Sequence, residues 1–155
     1  MSFRALGLPA TPFEALFALD DDALAARGIR RVIADSKPGY PCRVSLEDAE
    51  PGETLLLLPF EHHPAHSPYR ASGPIFVREA AAAAFDAVDA VPPVLRGRTL
   101  SLRAYDGTGE MVDADVVDGN TVEDAIARLF ARDDVSYLHV HNAKRGCYAC
   151  RIERV

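Results

Sequence analysis

Two stretches of alternating side chains around a glycine-rich turn constrain the fold more than any other feature of the chain. Residues 99–105 and 111–117 flank the sequence Asp-Gly-Thr-Gly at 106–109, which is typical of a β-hairpin turn. Residues 122–131 then predict a helix, and residues 135–141 and 147–155 predict a second antiparallel pair of strands. Because the order of elements is not strictly βαβ, we expect an α+β fold with about three helices and a largely antiparallel sheet, for which a barrel-like form is one option.

The first half of the chain predicts shorter elements. Helices are expected at 12–19 and 22–28, strands at 29–34, 54–59 and 75–77, and an alanine-rich helix at 79–88. Residues 61–74, rich in His, Pro, Ser and Gly, are expected to form a long loop. Loops of this length inside a domain often carry function.

Length and charge limit the class of protein. We expect one domain over residues 1–155. The net charge of −6, from 23 acidic and 17 basic residues, argues against a nucleic-acid partner, which would need a basic surface. No signal peptide is evident, the longest apolar run (55–60) is too short to cross a membrane, and three cysteines do not make a secreted disulfide framework. We therefore expect a soluble, cytoplasmic protein with no membrane partner and an oligomeric state that the sequence does not indicate.

The five histidines fall into two groups. His139 and His141 lie two residues apart in a predicted strand, so their imidazoles share one face with Tyr137. Such a pair can act as a general base or chelate a metal, and the simpler alternative is a pair of polar strand residues satisfied by hydrogen bonds. The second group, at 62, 63 and 66, falls in the predicted loop. No set of metal ligands is assigned from the sequence.

The three cysteines are candidate nucleophiles. Cys147 and Cys150 form a Cys-x-x-Cys, but a spacing of three in a strand puts the thiols on opposite faces, which disfavours zinc binding, and no helix follows to activate a redox thiol. Cys42 follows a proline-rich loop and precedes Arg43. Either Cys42 or Cys147 can serve as a nucleophile with a histidine base, and the alternative for each is a small buried apolar side chain.

Arginines supply candidate contacts for an anion. Tyr69 and Arg70 offer an aromatic ring and a planar guanidinium in the predicted loop, and Arg103 lies in the middle of a predicted strand. The simpler alternative is that these arginines form ion pairs with Asp113 and Asp115.

The leading hypothesis is a binding or enzymatic domain whose single pocket combines the segment around residue 42, the loop at 62–72 and the strand end at 139–142. This pocket would hold a small anionic molecule, and no cofactor is assigned. The candidate catalytic residues are His139, His141, Cys42 and Cys147. The candidate ligand-binding residues are Arg43, His66, Tyr69, Arg70, Ser72, Arg103 and Asn142. The alternatives are a non-enzymatic interaction module and a histidine-based metal-binding protein.

Several short motifs together resemble a known family. They are Pro-Gly-Tyr-Pro-Cys-Arg at 38–43, Ser-Pro-Tyr-Arg-Ala-Ser-Gly-Pro at 67–74, Arg-Ala-Tyr-Asp at 103–106, His-Val-His-Asn at 139–142 and Gly-Cys-Tyr-Ala at 146–149. The combination is similar to a bacterial family designated a domain of unknown function, DUF1203. This resemblance implies a small standalone bacterial protein and carries over no activity, cofactor or catalytic residue. Residues 72–77 with the following alanine-rich segment are also similar in outline to a strand–helix step of ADP-ribosyltransferases, whose catalytic Glu has no counterpart here.

Overall fold

Nine strands form two open sheets in the computed structural model, which describes residues 1–155. The six strands of the first sheet are β1 Phe3–Leu6, β5 Asp86–Val88, β6 Thr99–Tyr105, β7 Met111–Asp118, β8 Tyr137–Asn142 and β9 Tyr148–Arg154, in the spatial order β5-β1-β9-β8-β6-β7. The second sheet contains β2 Arg30–Ile33, β3 Thr54–His63 and β4 Ala71–Arg78, in that order. The ladders in both sheets are antiparallel. The predicted α+β class with an antiparallel sheet is confirmed, and neither sheet closes into a barrel.

Three α-helices accompany the sheets: α1 Thr11–Glu14, α2 Asp21–Ala25 and α3 Val122–Phe130. Turns of 3₁₀-helix occupy Ala15–Ala18, Pro93–Leu95 and Gly119–Thr121. The helix predicted at 12–19 thus begins as α1 and continues as a 3₁₀ turn. The cap of α2 is Asp20, because its carboxylate accepts a hydrogen bond from the backbone N–H of Ala23 at 2.8 Å. No helix has the length and apolar character that a membrane crossing requires.

Helix α3 covers one face of the six-stranded sheet. Its buried side chains follow the spacing of an amphipathic helix and are Val122, Ala125, Ile126, Leu129 and Phe130. They pack on the inward residues of β6 and β8, including Leu100, Leu102, Leu138 and Val140. Burial of each large side chain contributes about 1.5–3 kcal/mol, so this layer is the main core. The other face of the same strands carries the polar residues described below.

Strand β3 is longer than predicted. Pro59 was expected to end it, but β2 pairs with β3 only as far as Leu57, so a proline at 59 removes no hydrogen bond on that side. The strand continues to His63, and β4 begins at Ala71. The predicted loop at 61–74 is therefore shortened to residues 64–70, and the histidines at 62 and 63 lie at a strand end.

The alanine-rich helix predicted at 79–88 is absent. Residues 86–88 form β5, which pairs with β1, and the backbone N–H of Gly7 donates to the carbonyl of Phe85 at 2.8 Å. Residues 82–84 are exposed alanines that offer no apolar face for docking a helix, so pairing with the sheet edge determines this segment. The similarity to ADP-ribosyltransferases loses its basis, because it needed a helix at this position.

Candidate functional site

The polar face of the six-stranded sheet is built by cross-strand pairs on β6 and β8. Arg103 lies directly opposite His139, and Ser101 lies opposite His141. Directly opposite residues share one face of a sheet, so these four side chains point away from the α3 core. The prediction that His139 and His141 share a face is therefore confirmed. Both are almost completely buried, with 2% and 1% of their surfaces exposed.

The end of β3 covers this face from the second sheet. The pairing of β3 with β4 shifts register between Phe60 and His63. The ring of His62 stacks on Tyr148, with ring centroids 5.3 Å apart and planes at 12°. It meets the ring of His141 edge-on at a centroid distance of 4.9 Å. The two sheets thus bring a third imidazole to the pair on β8.

His62, His139 and His141 form a cluster whose candidate ligand nitrogens all lie within 4.8 Å of one another. Three buried nitrogens in the cluster have no hydrogen-bond partner: Nδ1 of His62, Nδ1 of His139 and Nε2 of His141. A buried polar atom without a partner costs about 1–3 kcal/mol, so three in one place are unusual. We call these three residues the histidine cluster.

The tautomer of His141 is fixed by the backbone. Its Nδ1 lies 2.9 Å from the carbonyl oxygen of Gly146, and because a carbonyl only accepts hydrogen bonds, Nδ1 carries the proton. The lone pair of the ring is therefore on Nε2, the atom without a partner. Metal-binding histidines commonly show this arrangement, with the distal N–H held by a carbonyl.

His63 differs from its neighbour in having both nitrogens satisfied. Its Nδ1 donates to the carbonyl of Tyr69 at 2.9 Å, and its Nε2 accepts from the hydroxyl of Tyr137 at 2.7 Å. It is buried to the same degree as His139. His63 is accordingly a structural residue that braces the loop at 64–70 against β8.

The histidine cluster is uncharged at neutral pH. Burial lowers the pKa of His139 to about 2 and the pKa of His141 to about 4. The pKa of His62 is also lowered, first by burial and then by the charge of Arg103. The neutral imidazole is the form that binds a metal ion.

Arg103 forms none of the ion pairs expected from the sequence. The hairpin register places Arg103 opposite Ala114, so Asp113 and Asp115 lie on the other face of the sheet. Those carboxylates pair instead with Arg132 and Arg128 near α3. The predicted pairing with Arg103 was wrong, and no carboxylate lies within ion-pairing distance of this half-buried guanidinium.

Four residues predicted to bind a ligand lie in the loop at 64–70 or at the start of β4, and none belongs to the histidine cluster. His66, Tyr69, Arg70 and Ser72 are exposed. Arg70 pairs with Glu61 through two hydrogen bonds of 3.0 and 3.2 Å, rather than with the aspartates of β7. Tyr69 contributes its carbonyl to His63. These contacts favour a bracing role, and ligand binding by the four side chains stays a prediction.

The cysteines occupy three different environments. Cys42 is fully buried, and its sulfur accepts from the backbone N–H groups of Val44 at 3.4 Å and Arg78 at 3.3 Å. Cys150 is fully buried in the α3 core, whereas Cys147 is half-buried and lines a cleft. The three thiols are free. A packing role is favoured for Cys42, and the nucleophile role of Cys42 or Cys147 stays a prediction.

The cleft that Cys147 lines has a volume of about 920 Å³ and contains the other predicted ligand residues, Arg43 and Asn142. The three segments expected to form one pocket are therefore divided. The segment around residue 42 meets the strand end at 142 in this cleft, while the end of β3 meets His139 and His141 beside it. The predicted ligand residues between 66 and 72 line neither.

The position of His62 in the cluster was not predicted from the sequence. This residue was expected in a loop and was not among the candidate site residues, because the extension of β3 past Pro59 was not expected. A His-His pair directly after an apolar run was the available signal. The irregularity in the pairing of β3 decides whether His62 or His63 faces the cluster, and the residue pattern does not reveal this irregularity.

No curated protein and no solved structure matches the chain. The family described as Protein of unknown function (DUF1203) matches residues 39–154. That span includes the histidine cluster, Arg103 and Arg43. Because the match extends over most of the chain, the protein belongs to the DUF1203 family.

Proposed function

We propose that this protein binds a first-row transition-metal ion, with Zn²⁺ as the best match, through His62, His139 and His141. The observation that carries the proposal is that one ring nitrogen of each histidine lies within 4.8 Å of the other two, in a cluster that also contains three buried ring nitrogens without a hydrogen-bond partner. One metal ion would give each of the three imidazoles a partner. Zn²⁺ suits imidazole ligands and imposes no geometric preference of its own.

The distances are compatible with a small adjustment on binding. Zn–N bonds of about 2.0–2.1 Å in a tetrahedron hold the nitrogens about 3.3 Å apart. The candidate atoms lie within 4.8 Å of one another, so binding requires the rings to draw together. His62 is half-buried at the end of β3 and can supply this movement, whereas His139 and His141 are held within the sheet.

Three protein ligands would leave a fourth position for a water molecule or a substrate atom. Structural zinc sites have four protein ligands, while catalytic sites have three and an exchangeable fourth. Three neutral ligands leave the charge of a divalent ion uncompensated, and Arg103 adds a further positive charge on the same face. An anion or hydroxide is therefore the favoured fourth ligand, and metal activation of a bound water is the chemistry that this arrangement supports.

The test is metal binding by protein purified without a histidine tag. Elemental analysis after dialysis against Zn²⁺ should give about one ion per chain, and Co²⁺ should give a visible absorption spectrum of tetrahedral type. His62→Ala should lower the affinity by more than about 100-fold, beyond the loss typical for a residue that only supports a ligand.

Two histidine variants serve as controls. His66→Ala removes an exposed histidine, and His63→Ala removes a buried histidine that already has two partners. Both should retain one metal per chain, although His63→Ala should unfold more easily because it leaves the Tyr137 hydroxyl without its partner. A stoichiometry far below one in the wild type, or equal affinities of His62→Ala and His66→Ala, would exclude the proposal.

A further inference from the structure

A second site is indicated by the charge of the cleft beside the histidine cluster. The cleft lies between the segment at 36–43 and the turn between β8 and β9. Four cationic side chains line it and no carboxylate does; the cations are Arg43, Arg98, Lys144 and Arg145. This concentration is notable in a chain of net charge −6. A volume of about 920 Å³ is in the range of small-molecule sites.

Arg43 is the most informative residue of the cleft. Only 2% of its surface is exposed. Its Nε donates to the backbone carbonyl of Tyr148 at 2.7 Å, and its Nη1 donates to the backbone carbonyl of Pro41. Both hydrogen-bond partners of this guanidinium are therefore neutral. Burial lowers the pKa of this guanidinium. A buried charge without a counter-ion is costly, and it is stabilised when an anion supplies the missing charge.

The remaining cations differ in whether a carboxylate already neutralises their charge. Arg98 donates two hydrogen bonds to Asp48, at 2.7 and 3.0 Å, so its charge is paired. Lys144 and Arg145 are exposed in the turn after β8 and form no ion pair within the chain. Arg43 at the base and these two residues at the rim therefore carry the uncompensated charge.

One wall of the cleft is aromatic. Tyr40 and Phe76 line it, with ring centroids 5.3 Å apart and planes at 56°. Tyr40 is held by a hydrogen bond from its hydroxyl to Asp35 at 3.0 Å. An apolar surface beside an anion site suits a ligand with a charged group and an organic body, rather than a free inorganic ion alone.

We infer that this cleft binds a small organic molecule through an oxyanion group, a phosphate or a carboxylate, held by Arg43 at the base and by Lys144 and Arg145 at the rim. A planar guanidinium and an oxyanion form paired hydrogen bonds that are stronger than those between neutral groups. The inference does not depend on metal binding, since none of the three cations belongs to the histidine cluster.

The experiment is titration of ¹⁵N-labelled, metal-free protein with inorganic phosphate and, separately, with succinate at constant ionic strength, followed by amide NMR shifts. Saturable shifts centred on Arg43, Asn142 and Arg145 are expected. A response to phosphate alone would assign a phosphate group, a response to succinate alone a carboxylate, and a response to both a general oxyanion site. The absence of saturable shifts with either probe would overturn the inference.

Variants distinguish local contacts from net charge. Lys144→Ala with Arg145→Ala should weaken binding at least about 10-fold and reduce its dependence on salt. Arg27→Ala with Arg30→Ala removes two exposed, unpaired arginines, one in the turn after α2 and one at the start of β2. This pair changes the net charge equally and should leave the affinity within about twofold. Equal effects of the two pairs would contradict the inference.

His62→Ala separates this site from the proposed metal centre. Because the anion site contains none of the metal ligands, this variant should bind phosphate or succinate like the wild type. Loss of anion binding in His62→Ala would place the anion at the histidine cluster and overturn the inference. Anion binding by a wild-type protein that binds no metal would leave the inference standing and exclude only the metal proposal.

Discussion

At the residue scale, the difference between adjacent side chains decides which groups are free to act. His62 and His63 are neighbours with the same side-chain chemistry, yet one has an unpartnered buried nitrogen and the other is bonded at both nitrogens. Arg103 and Arg151 show the same contrast. Both are opposite His139, but Arg151 pairs with Glu153 at 2.7 Å and Arg103 has no carboxylate. The hydrogen-bond and ion-pair partners of a side chain, rather than its residue type, therefore identify the candidate functional groups.

The contrast between the two arginines leads to a prediction for the metal-loaded protein. Arg103→Met should weaken binding of azide to the Co²⁺ form by roughly 10- to 100-fold, because a charge-assisted hydrogen bond contributes about 1.5–3 kcal/mol. The affinity for the metal itself should not fall, since the change removes a repelling charge. Azide titrations followed in the visible spectrum measure both effects. Arg151→Met is the matched control, and an equal loss of azide affinity in both variants would contradict a specific role for Arg103.

We expect the buried Cys150 thiol to lower the free energy of unfolding at alkaline pH. Burial raises its pKa to about 12, while the pKa of a thiol in an unfolded chain is about 8.5. Between these values the unfolded chain has lost a proton that the folded chain retains, so the free energy of unfolding falls as the pH rises.

The size of this effect can be tested with Cys150→Ala, which lacks the thiol. The advantage of the wild type over the variant in urea unfolding should shrink by about 2 kcal/mol between pH 7.5 and pH 10, at about 1.4 kcal/mol per pH unit. Ile152→Val, a non-titratable change in the same strand and core, should keep a constant difference from the wild type. A constant difference for Cys150→Ala as well would show that the thiol does not contribute.

At the scale of elements, the sequence predicted best where local pattern and tertiary contacts agree. The hairpin of β6 and β7 and the helix α3 appear close to their predicted positions, because alternation, turn residues and helical spacing all indicate the same structure there. The predictions failed where contacts with segments distant in the sequence determine the secondary structure. Pro59 is tolerated only because β2 is short, and residues 79–88 are extended because β1 offers them an edge.

Register was the other obstacle to predicting the site. The pairing of β6 with β7 shifts between Ala104 and Tyr105, and one residue of shift exchanges the two faces of a strand. Arg103 was therefore assigned carboxylate partners that lie on the opposite face. The shared face of His139 and His141 was predictable, because it needs only the alternation within a single strand.

The turn between β8 and β9 provides a prediction at this scale. Gly146 has a φ of 79°, and its carbonyl holds the Nδ1 of His141. Gly146→Ala meets no steric neighbour, so its cost is the left-handed backbone, about 1–2 kcal/mol. Movement of the carbonyl should also lower metal affinity by about 10-fold. Gly28→Ala is the control, because Gly28 has a φ of 72° and a Cβ there would also meet no neighbouring atom. It should lower the free energy of unfolding by a similar amount without changing metal affinity. Urea unfolding and metal titration of both variants measure these effects.

At the scale of the whole molecule, the histidine cluster joins the two sheets. His62 belongs to the three-stranded sheet, while His139 and His141 belong to the six-stranded sheet. A metal ion bound by all three would add to the side-chain packing and to the His63–Tyr137 hydrogen bond that already connect the two sheets, so metal binding should stabilise the fold as a unit.

The expected stabilisation follows from mass action. Free Zn²⁺ at 100 times its dissociation constant should raise the free energy of unfolding by about 2.7 kcal/mol, which corresponds to roughly 5–11 °C in Tm for a domain of this size. A thermal melt with and without a chelator measures the shift. His62→Ala should melt at the same temperature in both conditions, whereas His66→Ala should retain the shift. An unchanged wild-type Tm would contradict the proposal that the ion joins the sheets.

The distribution of the three imidazoles over two sheets also has a consequence during synthesis. His62 leaves the ribosome long before His139 and His141, and the face on which they meet requires β6 and β8 to be paired. A nascent chain that ends before β8 can bind metal at most weakly, because it lacks two of the three ligands. Tight metal binding would therefore occur only in chains that have been translated through β8 and have docked their two sheets. Incomplete chains would bind the metal weakly.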